Sequence, residues 1–188
     1  MVFPYIEDKK FEKITSLQKG EYDTCVFKNC DFSKADFSEI KFIECNFKEC
    51  NLSLANLYQA AFLDTKFAGC KMLGLLFYNC NKSGLSFSFE NCTLNDSSFY
   101  QTKIRETTFK NSSLQETDFT ECDLADSVFD NCDLRNAKFE NTNIEKVDFR
   151  TSYNYSIDPE LNRIKKAKFS LQGIAGLLDK FDLEIEEK

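Results

Sequence analysis

The chain has 188 residues with 31 acidic and 24 basic side chains, a net charge of −7, no histidine, no tryptophan and nine cysteines. No apolar run is long enough to span a bilayer and no secretory leader is evident. The sequence therefore reads as a cytoplasmic protein without membrane contact, too acidic to bind nucleic acid directly. The commonest acid–base side chain is missing, and six glycines form no phosphate-cradling loop, so the composition argues against an enzyme.

Residues 1–21 hold Val2, Phe3, Tyr5, Ile6, Phe11 and Ile14 and are expected to form an N-terminal cap, folded over the segment that begins at Tyr22. From Tyr22 onward every fifth residue is large and apolar: Phe27, Phe32, Phe37, Phe42, Phe47, Leu52, Leu57, Phe62, Phe67, Met72 and Phe77. The series resumes at Phe89 and runs without exception to Phe149, alternating Phe with Leu or Ile. A period of five is neither that of a helix nor that of a strand, and it marks a repeat array. Two positions before most of the large residues stands a small one, so the pair points to one side of an extended chain while the other three residues, mostly polar, point out. The alternation has a period of ten, which admits two or four five-residue sides per coil. Two sides cannot enclose a phenyl ring, so four are expected, or 20 residues per coil and about six coils, roughly 30 Å of rod at the usual strand spacing.

All nine cysteines occupy the small inward position, and Cys30, Cys50 and Cys70, 20 apart, are expected to stack as free thiols. With no histidine and no paired Cys-x-x-Cys, no metal or other cofactor is expected. The array breaks once, near residues 80–86, where Lys82 takes a core position and Gly84 suggests a short bulge. Residues 152–188 leave the register. Asp158-Pro159 marks a turn, and Ser170 can cap a short helix with Leu171, Ile174, Leu177, Leu178 and Phe181 on one face; Leu183 and Ile185 read as a last strand. This segment is a cap, and it is also the candidate for pairing two chains through Ile174, Leu177, Leu178 and Phe181.

Cys30-Asp31-Phe32, Ala35-Asp36-Phe37, Cys50-Asn51-Leu52, Ala55-Asn56-Leu57, Thr117-Asp118-Phe119, Cys122-Asp123-Leu124 and Cys132-Asp133-Leu134 all share one pattern: small, Asp or Asn, large apolar. In this the span 22–151 resembles the pentapeptide-repeat family. The resemblance implies an all-β fold, a right-handed quadrilateral β-helix, here with a short C-terminal helix. It is nearest in character to the quinolone-resistance group, understood as DNA mimics that engage bacterial type II topoisomerases and dimerise through C-terminal segments.

Charge is uneven along the array. Residues 1–88 balance, and residues 89–188 carry the whole net charge of −7. Glu106, Glu116, Asp118, Glu121, Asp123, Asp126, Asp130 and Asp133 are the candidate partner-binding face, since an acidic rod suits a basic groove built for DNA. The resemblance makes DNA gyrase or topoisomerase IV the expected partner, modulating quinolone or toxin sensitivity. The alternative is a general cytosolic interaction scaffold, because motif Asp and Asn are intrinsic to the repeat.

Overall fold

A computed structural model describes residues 4–184; Val2, Phe3 and Ile185 lie outside them. The chain winds as a four-sided parallel β-solenoid. The first side is built on β1 (Tyr5–Glu7), β3 (Glu21–Asp23), β5 (Lys41–Ile43) and β7 (Ala61–Leu63), paired in that order. The second side stacks β2 (Lys10–Glu12), β4 (Val26–Lys28), β6 (Asn46–Lys48), β8 (Thr65–Ala68), β9 (Phe87–Glu90), β10 (Thr108–Lys110) and β11 (Val128–Asp130). Every pair is parallel, and Phe42 lies over Phe62, and Phe109 over Phe129, one coil of 20 residues apart. The third side, centred on Phe32, Leu52, Met72, Leu94, Leu114 and Leu134, and the fourth, centred on Phe37, Leu57, Phe77, Phe99, Phe119 and Phe139, are joined by single parallel bridges such as Asp31 to Asn51 and Asp118 to Lys138.

Local chemistry explains the corners. The second residue after nearly every large one has positive φ, as at Asn29 (52°), Lys34 (56°), Glu116 (56°) and Asp126 (64°). That conformation costs a residue with a Cβ some strain. Each corner amide offsets it by donating to the next coil, as Lys34 does to the Ser53 carbonyl at 2.9 Å and Glu116 to that of Arg135 at 2.9 Å. The motif Asp or Asn braces the turn from outside: Asp31 accepts from the Ser33 amide at 3.1 Å, and Asp118 from that of Thr120 at 2.9 Å.

The interior is a set of ring columns. On the second side Phe11, Phe27, Phe47, Phe67, Phe89, Phe109, Phe129, Phe149 and Phe169 stack with centroids 4.5–5.4 Å apart and planes within 19° of parallel. Offset stacking of this kind adds to plain area burial. Small-site side chains donate back to the coil before, as Cys50 does to the Phe27 carbonyl (3.5 Å), Ser97 to Met72 (2.9 Å) and Thr142 to Phe119 (2.8 Å). All nine cysteines are free and buried. Burial pushes the thiols of Cys45, Cys80 and Cys122 up to about 12 and that of Cys132 to about 11. The thiol column gains a fourth member, Cys92, across the break: the Cys70 thiol, hydrogen-bonded to those of Cys50 and Cys92 and buried, is pushed strongly upward.

Coils continue on both sides of the 22–151 span. Ile6 pairs with Tyr22 and Phe11 with Phe27, so the N-terminal segment is itself a coil, shortened to 16 residues. At the other end Asn143 bridges Arg163, Asp148 bridges Lys168, and Phe169 stacks on Phe149. At the break Lys82 is exposed and Gly84 takes φ +74°, while Phe87 turns inward beside Phe62 and Phe77 to fill the space a central residue leaves. Pairing across it shifts to 22 residues, Phe67 onto Phe89.

The C-terminal helix differs from the expectation in type and orientation. It is two 3-10 segments, Gln172–Leu177 and Asp179–Phe181. Gly173 and Gly176 face the last coil, where a Cβ would fall 1.8 Å from the Tyr155 hydroxyl oxygen and 2.1 Å from the Tyr155 carbonyl oxygen. Ile157 donates to the Gly176 carbonyl at 2.8 Å. The glycine edge and Leu177 therefore close the core, and Leu171 and Ile174 turn to solvent. Leu183 is exposed and outside any strand.

Candidate functional site

The eight candidate carboxylates do not share one face. A turn every five residues carries an acidic run around the rod, and the columns a coil apart decide which charges meet. Glu106 and Asp126 share the corner between the first and second sides, and Asp123 lies on the first side. Glu116 holds the corner between the third and fourth sides, Asp118 the fourth side, and Glu121 the next corner. Asp130 belongs to the second side and Asp133 to the third. The tightest group is thus Glu116, Asp118 and Glu121, spanning the fourth side corner to corner.

Their electrostatics also differ. Asp126 pairs with Lys146 at 3.0 Å and Arg105 at 3.5 Å, and the Lys146 hydrogen bond leads in holding its carboxyl below the ordinary range. Asp123 lies 4.0 Å from Arg105. At Asp133 burial works against the charge, but hydrogen bonds from Asn154 (2.8 Å) and Gln115 (2.6 Å) bring its carboxyl down overall. Glu116 accepts from Asn136 at 2.6 Å, Glu121 from Gln101 at 2.7 Å and Asp130 from Thr151 at 2.9 Å, all neutral donors. Among the described residues, Glu106, Glu116, Asp118, Glu121, Asp130 and Asp133 have no cation within 4.0 Å. The acid column Glu106–Asp126 reverses sign at Lys146 and Lys166, so the last coil is basic, with Arg163, Lys165 and Lys168 beside them. One coil apart on the outer surface, Asn131 donates to Asn111 at 2.9 Å.

Of the four residues expected to pair two chains, Ile174 and Phe181 are exposed, at 42% and 51%, whereas Leu177 packs on the core and Leu178 is half-buried. The hydrophobic pattern of the sequence does not single out a strip on the fourth side. Tyr58, Tyr78 and Tyr100 each come directly after a central residue of that side, on three successive coils, with Leu54 and Leu76 beside them. Their spacings of 20 and 22 are the one signal that could have revealed them.

A rod of stacked five-residue sides with outward polar corners is a repeat solenoid. The pentapeptide repeat region profile matches residues 21–88 and 86–154, and the chain belongs to that family. Its fold is similar to that of a trypsin-treated variant of QnrB1, a plasmid-mediated fluoroquinolone resistance protein, with TM-score 0.64, 17% identity and full coverage of both chains. Full-length QnrB1 matches with TM-score 0.55 and 16% identity over 96% of this chain and all of that one. At such identity the likeness is one of fold. No match to a curated protein was found. No helix among the described residues is long and apolar enough to cross a membrane.

Proposed function

We propose that this chain is a non-enzymatic interaction protein that engages a bacterial type II topoisomerase, DNA gyrase or topoisomerase IV, as a DNA mimic. The observation that carries the reading is the set of carboxylates without cationic partners around the second half of the rod, from Glu106 to Asp133. Such a surface is drawn to a groove evolved for phosphates, and the attraction weakens with salt. Likeness in fold to QnrB1 over the whole of both chains supports it. Two copies joined through the exposed Ile174 and Phe181 would extend the rod to about 60 Å, the length of roughly 18 base pairs.

The test is a gyrase supercoiling assay with added protein. Wild type inhibits at low salt; replacing Glu116, Asp118, Glu121, Asp123 and Asp126 together by Gln or Asn leaves the fold intact and removes inhibition. Sedimentation shows a dimer that Ile174→Glu converts to monomer. A general interaction scaffold is the second reading, favoured by the spread of the acids over all four sides. It stands if wild type binds neither enzyme at low salt.

A further inference from the structure

The fourth side carries a strip that the topoisomerase reading does not use. On three of the fourth-side rungs the position after the central residue is polar: Ser38, Thr120 and Glu140. On three consecutive rungs it is Tyr58, Tyr78 and Tyr100. The bridge position beside it is Asp36, Asn56, Ser98, Asp118 or Lys138 elsewhere, but Leu76 here. The corner that holds Lys34, Asp96 and Glu116 on other coils holds Leu54. Leu54 and Tyr58 are 57% and 58% exposed, Leu76 39% and Tyr78 37%. The repeat requires none of these outward apolar residues, and a contiguous exposed apolar strip rimmed by polar residues marks a docking surface.

The rings are arranged to receive something. Tyr78 and Tyr100 meet edge to face, centroids 6.4 Å apart and planes at 87°, so one ring keeps an open face. Same-side residues of an extended peptide repeat about every 6.6 Å. The Tyr78 and Tyr100 rings, 6.4 Å apart, match that repeat, so a peptide running along the rod axis sets alternate side chains on these two rings. The hollow between the two rings is also lined by Asp118, whose carboxylate accepts from the Thr120 amide and, at 3.4 Å, from Ser98 and keeps free lone pairs. Glu116 and Glu121 flank it at the corners. Lys82, at the rim, is held to the Gln101 carbonyl at 3.3 Å rather than to Asp118. Around the strip Asp96, Glu116, Asp118, Glu121 and Glu140 outnumber Lys82 and Lys138.

Aromatic faces beside a carboxylate favour a planar cation, which stacks on the ring and pairs with the acid at once; a guanidinium does both and an ammonium does less well. We infer that this strip docks an extended segment of a partner protein in which arginines alternate with apolar residues, the arginine lying on Tyr78 or Tyr100 and pairing with Asp118 while the apolar side chains cover Leu54, Tyr58 and Leu76. Any protein that supplies such a segment meets the same chemistry.

Fluorescence anisotropy with labelled short peptides of alternating arginine and leucine tests it, with lysine–leucine, arginine–serine and glutamate–leucine peptides as comparisons. Wild type binds the arginine–leucine peptide best. Tyr78→Ser with Tyr100→Ser, which changes no charge and installs a residue found at this position elsewhere in the repeat, weakens binding about tenfold. Asp118→Asn, which keeps the turn acceptor, weakens it about as much. Circular dichroism melts verify that both variants are folded. Equal binding by the tyrosine variant and wild type overturns the inference, as does equal binding of the arginine–serine peptide, since the rod then acts only as a polyanion. If sedimentation shows that the tyrosine variant loses a wild-type dimer, the strip is covered by a second copy and the inference falls.

Discussion

The two halves of the rod solve one packing problem in different ways. Before the break most central core residues are aromatic, so Phe27, Phe32, Phe37, Phe42 and Phe47 meet edge to face or tilted along the winding as well as stacking between coils. After it, phenyl columns on the second and fourth sides face each other edge to face across the coil, and Leu and Ile fill the first and third sides between them. The small sites change in parallel, from mostly Cys and Ala to mostly Ser and Thr, and the outer surface changes from neutral to net −7. Core and surface composition both change along the rod while the main-chain ladder, common to both halves, carries the fold.

The sharpest way to break this comparison is to remove one ring from each half. Phe119→Ala and Phe47→Ala are each expected to cost about 3–5 kcal/mol in chemical denaturation, with Phe47 at the upper end because its cavity is lined by other rigid rings. A loss below about 1 kcal/mol at either site would contradict the buried columns. The small sites give the next effect. Thr142→Val leaves the Phe119 carbonyl without its hydroxyl partner and should cost about 1 kcal/mol, whereas Cys50→Ala removes only a weak thiol donor and should cost less. In the folded state all nine thiols should react slowly with a disulfide reagent, being buried and, at Cys45, Cys80, Cys122 and Cys132, shifted upward by that burial.

The smallest effect depends on pH. Arg150 grips Asp148 through two hydrogen bonds, of 2.9 and 2.7 Å, and holds its carboxyl down to about 2. Its folded value is depressed, so its contribution is complete above the unfolded value near 4 and fades as pH falls through about 2. Arg150 is largely exposed and water screens the pair, so Asp148→Asn should cost about 1 kcal/mol at neutral pH. Melts of the variant and wild type should converge near pH 2.

The repeat was legible because its core positions are chemically redundant: 25 large apolar residues in step leave no other architecture. The end coils were not, for reasons that can be read at single residues. The first has only Ile6 and Phe11 at corner spacing before it shortens, and the last places Asn154 and Pro159 where apolar residues recur elsewhere and fills in with Tyr155 and Ile157, out of step. The C-terminal amphipathic pattern pointed the wrong way because the two glycines, invisible to a hydrophobic count, make the closest approach. The acidic candidates form one run along the chain, whereas the surface is organised across coils: a 20-residue coil sets Glu106 beside Asp126 and Glu116 beside Asp96 and Asn136.

The second-side ring column has a mechanical consequence. A solenoid is a line of units, each coupled only to its neighbours, and a poor joint lets such a line come apart in two stages. The two-residue insertion is the natural place for that joint. Yet Phe67 stacks on Phe89 across it at 5.3 Å and 11°, as closely as rings within either half. The second-side column therefore runs unbroken through the insertion and ties the two halves together, although the first-side sheet ends there at β7. A partner that grips the tyrosine strip thereby fixes the heading of the acidic coils beyond it.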